Sequence, residues 1–231
     1  MRFWPRPPPA PARPPLVLGP DSARGPMRPC SADISVSRVP DTPPAAFSPS
    51  LSAPPHAEGV SNDEFRAAMS RLTAGVVLVT AREQSLDPDD PSAPVGEDVG
   101  MTATAFLSVS LDPPLVLVSL RTGSRMDDLL DEQPLWAVSV LADSHRHIAG
   151  RFAMKGRLSD RLLFADLPHR RGPLSDAPLV DGALATLECR THDRVRAGDH
   201  TLVIGRVLTA ETRPEESGPL AYFKGRYRQL R

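Results

Sequence analysis

The stretch G-M-T-A-T-A-F-L-S-V-S-L-D-P-P-L-V-L-V-S-L-R-T-G-S-R-M-D-D-L-L, residues 100 to 130, decides how this chain folds. At a period of two, Met101, Ala103, Ala105, Leu107, Val109 and Leu111 fall on one face, and Thr102, Thr104, Phe106, Ser108 and Ser110 on the other. The pattern predicts one strand with a dry face and a hydroxyl face. Asp112-Pro113-Pro114 ends it, because consecutive prolines remove ladder donors and fix φ; residues 115 to 120 resume as a nearly continuous apolar strand. Arg121-Thr122-Gly123-Ser124 then opens a short helix, with Ser124 as a good N-cap, Asp127 three residues on at the capping position, and Leu129 and Leu130 as its buried side. A strand that feeds a helix N-terminus flanked by Arg121 and Arg125 gathers free N–H groups, a positive dipole end and two guanidinium groups. That corner suits a phosphate. Taken singly, the two halves also fit an ordinary half-exposed strand and an ordinary capped helix.

Outward from this stretch the chain reads as mainly β with peripheral helices. Ser61 and Glu64 form a capping box, and Phe65, Ala68, Met69 and Leu72 follow at helical spacing, which predicts a helix over 62–72 packed on the sheet. Residues 76–80 and 135–141 read as strands, and a helix through Ala153 follows a cap at Asp143 or Ser144. Two long strands, 183–194 and 201–210, form a hairpin through Val195-Arg196-Ala197-Gly198-Asp199, and residues 220–223 supply a last strand. The acidic run 83–98 reads as a solvated surface connection rather than a metal site at Asp87, Asp89 and Asp90. His145 and His147, two apart and so on different faces of that helix, read as surface histidines, and His169 and His192 as non-functional ones.

Composition narrows the function classes. The 231 residues are 40% hydrophobic and carry a formal charge of −1, enough for one cored domain and no recommendation for nucleic acid or an anionic membrane. Residues 1–60 hold 16 of the 27 prolines without helical or strand period and are expected to be a disordered Pro-rich tail; 61–231 are expected to form the folded domain. Only two cysteines, Cys30 and Cys189, and no long apolar run point to a cytoplasmic protein without a structural disulfide or membrane span.

The run Gly100, Thr102, Phe106, Ser108, Val109, Ser110, Asp112, Pro113, Pro114 and Leu115 resembles the flavin-binding core of the short-chain flavin reductases, the NAD(P)H-dependent partners of two-component monooxygenases. Gly198-Asp199-His200 matches the G-D-H that the family places beside the nicotinamide, and Tyr222-Phe223-Lys224-Gly225-Arg226-Tyr227 resembles its C-terminal run. The resemblance covers about residues 61 to 228. Departures stand at Ala105 and Leu107, where the family often has a hydroxyl or amide, and at Met126, where it often has Thr.

That resemblance implies an FMN-binding split β-barrel, working as a homodimer. FMN or FAD is expected along Thr102, Ala103, Thr104, Ala105 and Phe106, with contacts at Ser119 and Arg121 and its phosphate at Ser124 and Arg125. NADH or NADPH is expected near Gly198, Asp199 and His200, with Phe152 on the nicotinamide side. Tyr222 and Arg226 either touch flavin across the dimer or simply end an edge strand, and on the residues alone His200 is equally a turn histidine bonded to a neighbouring carbonyl. Arg194 or Arg196 would serve a 2′-phosphate. The implied activity is hydride transfer from the nicotinamide to flavin for delivery to a separate monooxygenase. The alternatives are a non-catalytic flavin or haem carrier, and a flavoenzyme that reduces a small organic substrate directly.

Overall fold

The computed structural model describes residues 59–84, 96–154, 159–212 and 217–230. Nearly all of the Pro-rich segment, most of the acidic run and Cys30 lie outside them. In chain order the elements are α1 (Asn62–Met69), β1 (Ala74–Gly75), β2 (Val77–Arg82), β3 (Asp98–Ala103), β4 (Phe106–Leu111), β5 (Pro114–Arg121), α2 (Arg125–Glu132), β6 (Leu135–Val140), α3 (Arg146–Ala153), α4 (Asp160–Ala165), β7 (His169–Arg171), β8 (Pro178–Val180), β9 (Ala185–Ala197), β10 (His200–Thr212), β11 (Leu220–Phe223) and β12 (Arg226–Gln229).

Seven strands form one antiparallel sheet in the order β3-β2-β6-β9-β10-β5-β4. Its two edge strands are consecutive in sequence, separated only by Thr104 and Ala105. The sheet therefore curls until its edges meet, and β3 and β4 are the halves of one bent strand, the first paired with β2 and the second with β5. Ser119 N–H donates to the Ala105 carbonyl at 3.0 Å, the last rung before the halves diverge.

The bend corrects the expected pair of faces. Ala103 and Phe106 both point into the barrel core although three residues apart, so the alternation changes phase across Thr104-Ala105. Leu107, Val109 and Leu111, expected on the dry face, reach solvent instead, helped by a bulge between Ser108 and Ser110.

Inside the barrel lie Val77, Val79, Val99, Val116, Val118, Leu120, Trp136, Val138 and Val203, and α2 stops one end with Met126, Leu129 and Leu130. A second apolar layer forms outside β2, where Val76 and Leu78 meet Ile148 and Phe152 of α3 and Leu163 and Phe164 of α4. The small sheet β1-β11-β12 is tied on through Val76, Leu141 and Leu220. Lys224 and Gly225, both at positive φ, make the two-residue turn that starts β12, a strand the sequence reading left as a charged tail.

Two other expectations change. The capping box of α1 is present, yet none of its residues is buried, and Phe65 and Met69, with Leu72 beyond it, are exposed. His145 is interior rather than superficial: its Nδ1 accepts the Ala142 N–H at 3.2 Å, so the proton sits on Nε2 and is donated to the Asp181 carbonyl at 3.1 Å. Burial depresses its pKa, which suits that neutral role.

Gly205 marks the tightest point of the core. A Cβ there would stand 2.4 Å from Cζ2 of the fully buried Trp136. Gly205→Ala is expected to destabilise the fold by about 1–3 kcal/mol, measured as a lower denaturation midpoint with unchanged slope.

Candidate functional site

Below Ala105 the bent strand pairs with β5; above it β3 leans to β2, and β5 pairs only with β10. The barrel wall therefore parts between Thr102–Thr104 on one side and Ser119–Arg121 on the other. Backbone groups along the two margins face a gap instead of a ladder, and the turn into α2 stands at its end. Two strand edges that part from each other suit a flat heteroaromatic ligand with hydrogen-bonding atoms on its rim.

The side chains at this opening divide clearly. Thr104 and Ala105 are exposed, Ser119 is partly so, and Arg121 is exposed and holds no ion pair among the described residues. Thr102 is committed elsewhere, donating its hydroxyl to the Ala149 carbonyl at 2.8 Å. Ala103 and Phe106 turn into the core, so only their backbone is offered. Phe152 is 3% exposed, packed edge-on against Phe164 and beneath Gly100, and belongs to the interior rather than to a ligand surface.

At the expected phosphate corner, Ser124 caps α2 by accepting the Asp127 N–H at 3.3 Å, and Gly123 at φ 71 shapes the turn. Arg125 reaches Glu97 at 2.8 Å, Asp160 at 3.1 Å and Glu83 at 3.6 Å, and these carboxylates, Glu97 first, raise its pKa. Its charge is thus already balanced, whereas Arg121 beside Ser124 and Arg196 on β9 are exposed and hold no ion pair among the described residues. Arg194, considered for a 2′-phosphate, is likewise engaged, with Asp127 at 2.7 Å and Asp131 at 3.3 Å.

The hairpin β9–β10 turns at Gly198-Asp199, with Gly198 at φ 65. Register places His200 directly opposite Arg121, and the Thr122 N–H donates to the Asp199 carbonyl at 3.1 Å, so the hairpin tip and the turn before α2 are neighbours. His200 Nδ1 lies 2.8 Å from Asp199 Oδ1, leaving Nε2 for a ligand. That bond, then the charges of His200 and Arg121, lowers the Asp199 pKa. Ser119, Arg121, Ser124, Gly198, Asp199 and His200 therefore gather at one end of the β5–β10 pair, with Thr104 and Ala105 across the opening. Tyr222 and Arg226 do not join them: both lie on the small sheet, where Tyr222 packs edge-on against Tyr227 and Arg226 is exposed.

Sequence reading missed Asp127 as more than a capping residue. It is 4% exposed and ties α2 to β9 and β10. The hint available was its spacing three residues after Ser124; its distant partners leave no local signal. Another buried carboxylate, Glu188, accepts from Leu174 N–H, Ser175 N–H and both the Ser175 and Thr209 hydroxyls. Burial raises its pKa, but those donors outweigh burial and hold it low. It anchors a turn and is not an acid catalyst. Cys189 is buried, and burial followed by the Glu188 charge pushes its thiol up to about 12, so it is no nucleophile. Among the described residues no group of His, Cys, Asp and Glu is arranged for a metal, and no helix is long and apolar enough to cross a membrane.

Comparison with known proteins gives a consistent picture. The family model described as "Flavin reductase like domain" matches residues 69–231. An NADH-dependent flavin reductase from Rhodococcus sp is 39% identical over 166 residues, 72% of this chain and 85% of the relative. The reductase component of 4-hydroxyphenylacetate 3-monooxygenase from Thermus thermophilus is 34% identical over 169 residues, 73% of this chain and 96% of the relative. The crystal structure of BorF, the flavin reductase component of a bacterial two-component tryptophan halogenase, superposes with a TM-score of 0.65 at 36% identity, covering 74% of this chain and 98% of that one.

Proposed function

The chain belongs to the flavin reductase family, and on that premise we propose that the parted barrel wall is where flavin binds and receives a hydride from a reduced nicotinamide. The activity is that of a flavin:NAD(P)H oxidoreductase, with FMN or FAD as flavin and NADH or NADPH as donor. The observation that carries the site is the divergence of β3 from β5 above the Ala105–Ser119 hydrogen bond. It leaves a gap with polar margins that ends at a capped helix and an uncommitted arginine.

Bound flavin supplies a ring that accepts the hydride from C4 of the nicotinamide. The residues need only bind, orient and keep water out. Backbone groups of Thr102–Ala105 and of Ser119–Arg121 hold the ring edges, and the Ser124 turn with Arg121 holds the phosphate. Arg125 takes part only by exchanging one of its carboxylates. His200, oriented by Asp199, presents Nε2 toward the nicotinamide carboxamide on the outer side of β10.

Because the relatives include reductase components of two-component oxygenases, the product's consumer is proposed to be a separate monooxygenase. A homodimer is proposed as well. Leu107, Leu117 and Ile204 form one cross-strand apolar row on the barrel's outside, and Ser119, Leu202 and Val195 follow one another in the next. Leu107 and Val195 are 51% and 45% exposed, and this surface adjoins the opening, so a second copy would cover both. Ala103 is buried in the core and takes no part; Tyr222 and Arg226 reach flavin only if they come from the partner copy.

Mixing the protein with FMN or FAD and each nicotinamide is expected to give steady, flavin-dependent loss of nicotinamide absorbance. Yellow protein without turnover would indicate a carrier instead. Ser124→Ala should weaken flavin binding about ten- to a hundredfold. Ser124→Asp, which preserves a helix cap but repels phosphate, should weaken it at least as much; unchanged affinity in both would move the phosphate elsewhere. His200→Ala is expected to raise the KM for nicotinamide about tenfold while the flavin dissociation constant stays put. Sedimentation should give a dimer, and an active monomer would refute the shared interface.

A further inference from the structure

Asp127 joins the two halves of the proposed site. Its Oδ2 accepts the Gly123 N–H at 3.0 Å, from the turn proposed to hold phosphate, and the Thr201 hydroxyl at 3.3 Å, from the strand that carries His200. Its Oδ1 takes Arg194 Nη2 of β9 at 2.7 Å, and the same guanidinium nitrogen reaches the Asp127 carbonyl at 3.2 Å. Thr122 adds a second stitch, with its hydroxyl 3.3 Å from that of Thr201. Thr201 and His200 are adjacent on β10, so one side chain points in to Asp127 and the other points out. Any shift of Thr201 relative to Asp127 therefore turns His200 relative to the Ser124 turn.

We propose that Asp127 is a positioning residue, fixing the Arg121–Ser124 turn against the Gly198–His200 hairpin so that the flavin ring and the nicotinamide meet in register. The inference rests on the reductase reading above. It differs from a purely structural role in what it requires: a residue that positions the ligands through Gly123 and Thr201 must, when lost, slow hydride transfer more than it weakens the binding of either ligand. The burial is also specific, since a carboxylate 4% exposed is kept here with three donors from three separate segments where an apolar residue would fill the space.

Two variants separate the possibilities. Asp127→Asn keeps the shape but faces Arg194 with an amide; Thr201→Val removes one hydroxyl link and leaves the carboxylate paired. Each is compared with the parent chain by rapid-mixing measurement of nicotinamide oxidation at saturating flavin, by flavin-fluorescence titration and by thermal melting, with rates taken well below each melting midpoint. Asp127→Asn is expected to slow hydride transfer about ten- to a hundredfold. Thr201→Val is expected to slow it less, with flavin dissociation constants within about threefold of the parent for both. Parental hydride-transfer rates in both variants, or losses that appear wholly in flavin affinity, would overturn the positioning role. Should Asp127→Asn fail to fold, a parental rate in Thr201→Val overturns it alone. A parent chain that binds flavin yet consumes no nicotinamide removes the reductase reading, and this inference with it.

Discussion

The structure depends on one continuous strand having to serve both edges of the same sheet. Residues 98–111 pair with β2 for the first half of their length and with β5 for the second. A single extended chain does this only by bending, and the bend falls at Thr104-Ala105, where neither ladder claims the residues. Closure removes the exposed edges that would otherwise invite pairing with another chain. The same bend makes closure incomplete, because the upper half of β5 loses its second neighbour. The opening is thus a geometric by-product of how the barrel is shut. The helix that follows β5 fills the space behind it with Met126, Leu129 and Leu130, so the gap is backed by packed side chains.

Binding and stability are divided between the two faces of this region. Inward-facing residues of β3, β5 and β10 are apolar and spent on the core, while the exposed margin offers backbone groups, Ser119, Thr104 and Arg121. Charge is managed in the same way. Arg125 and Arg194 are held by carboxylates, and Arg121 is left open.

Much of this was legible in the sequence because it is local. The Pro113-Pro114 break, the Ser124 cap, the Gly198-Asp199 turn and the alternation in β5 each follow from a few neighbouring residues. What failed was everything set by closure. Alternation placed Leu107, Val109 and Leu111 inside, since nothing in Thr104-Ala105 announces a change of phase. Phe152, expected at a ligand, packs beneath Gly100 because α3 lies on the outside of β3, a tertiary fact. Asp127 looked like a capping residue because Arg194 and Thr201 are more than sixty positions away. The apolar side of α1 was taken as evidence of packing, yet amphipathic spacing says only that a face wants cover, and the described chain leaves it open.

A protein that releases reduced flavin works in the presence of dioxygen, and free reduced flavin meeting dioxygen yields peroxide. Oxidation of a cysteine by peroxide proceeds through its thiolate. Cys189 sits at 0% exposure between β6 and β10, with its proton held firmly by the surrounding apolar packing and by the carboxylate next to it. Among the described residues the barrel thereby offers peroxide no ionised thiol.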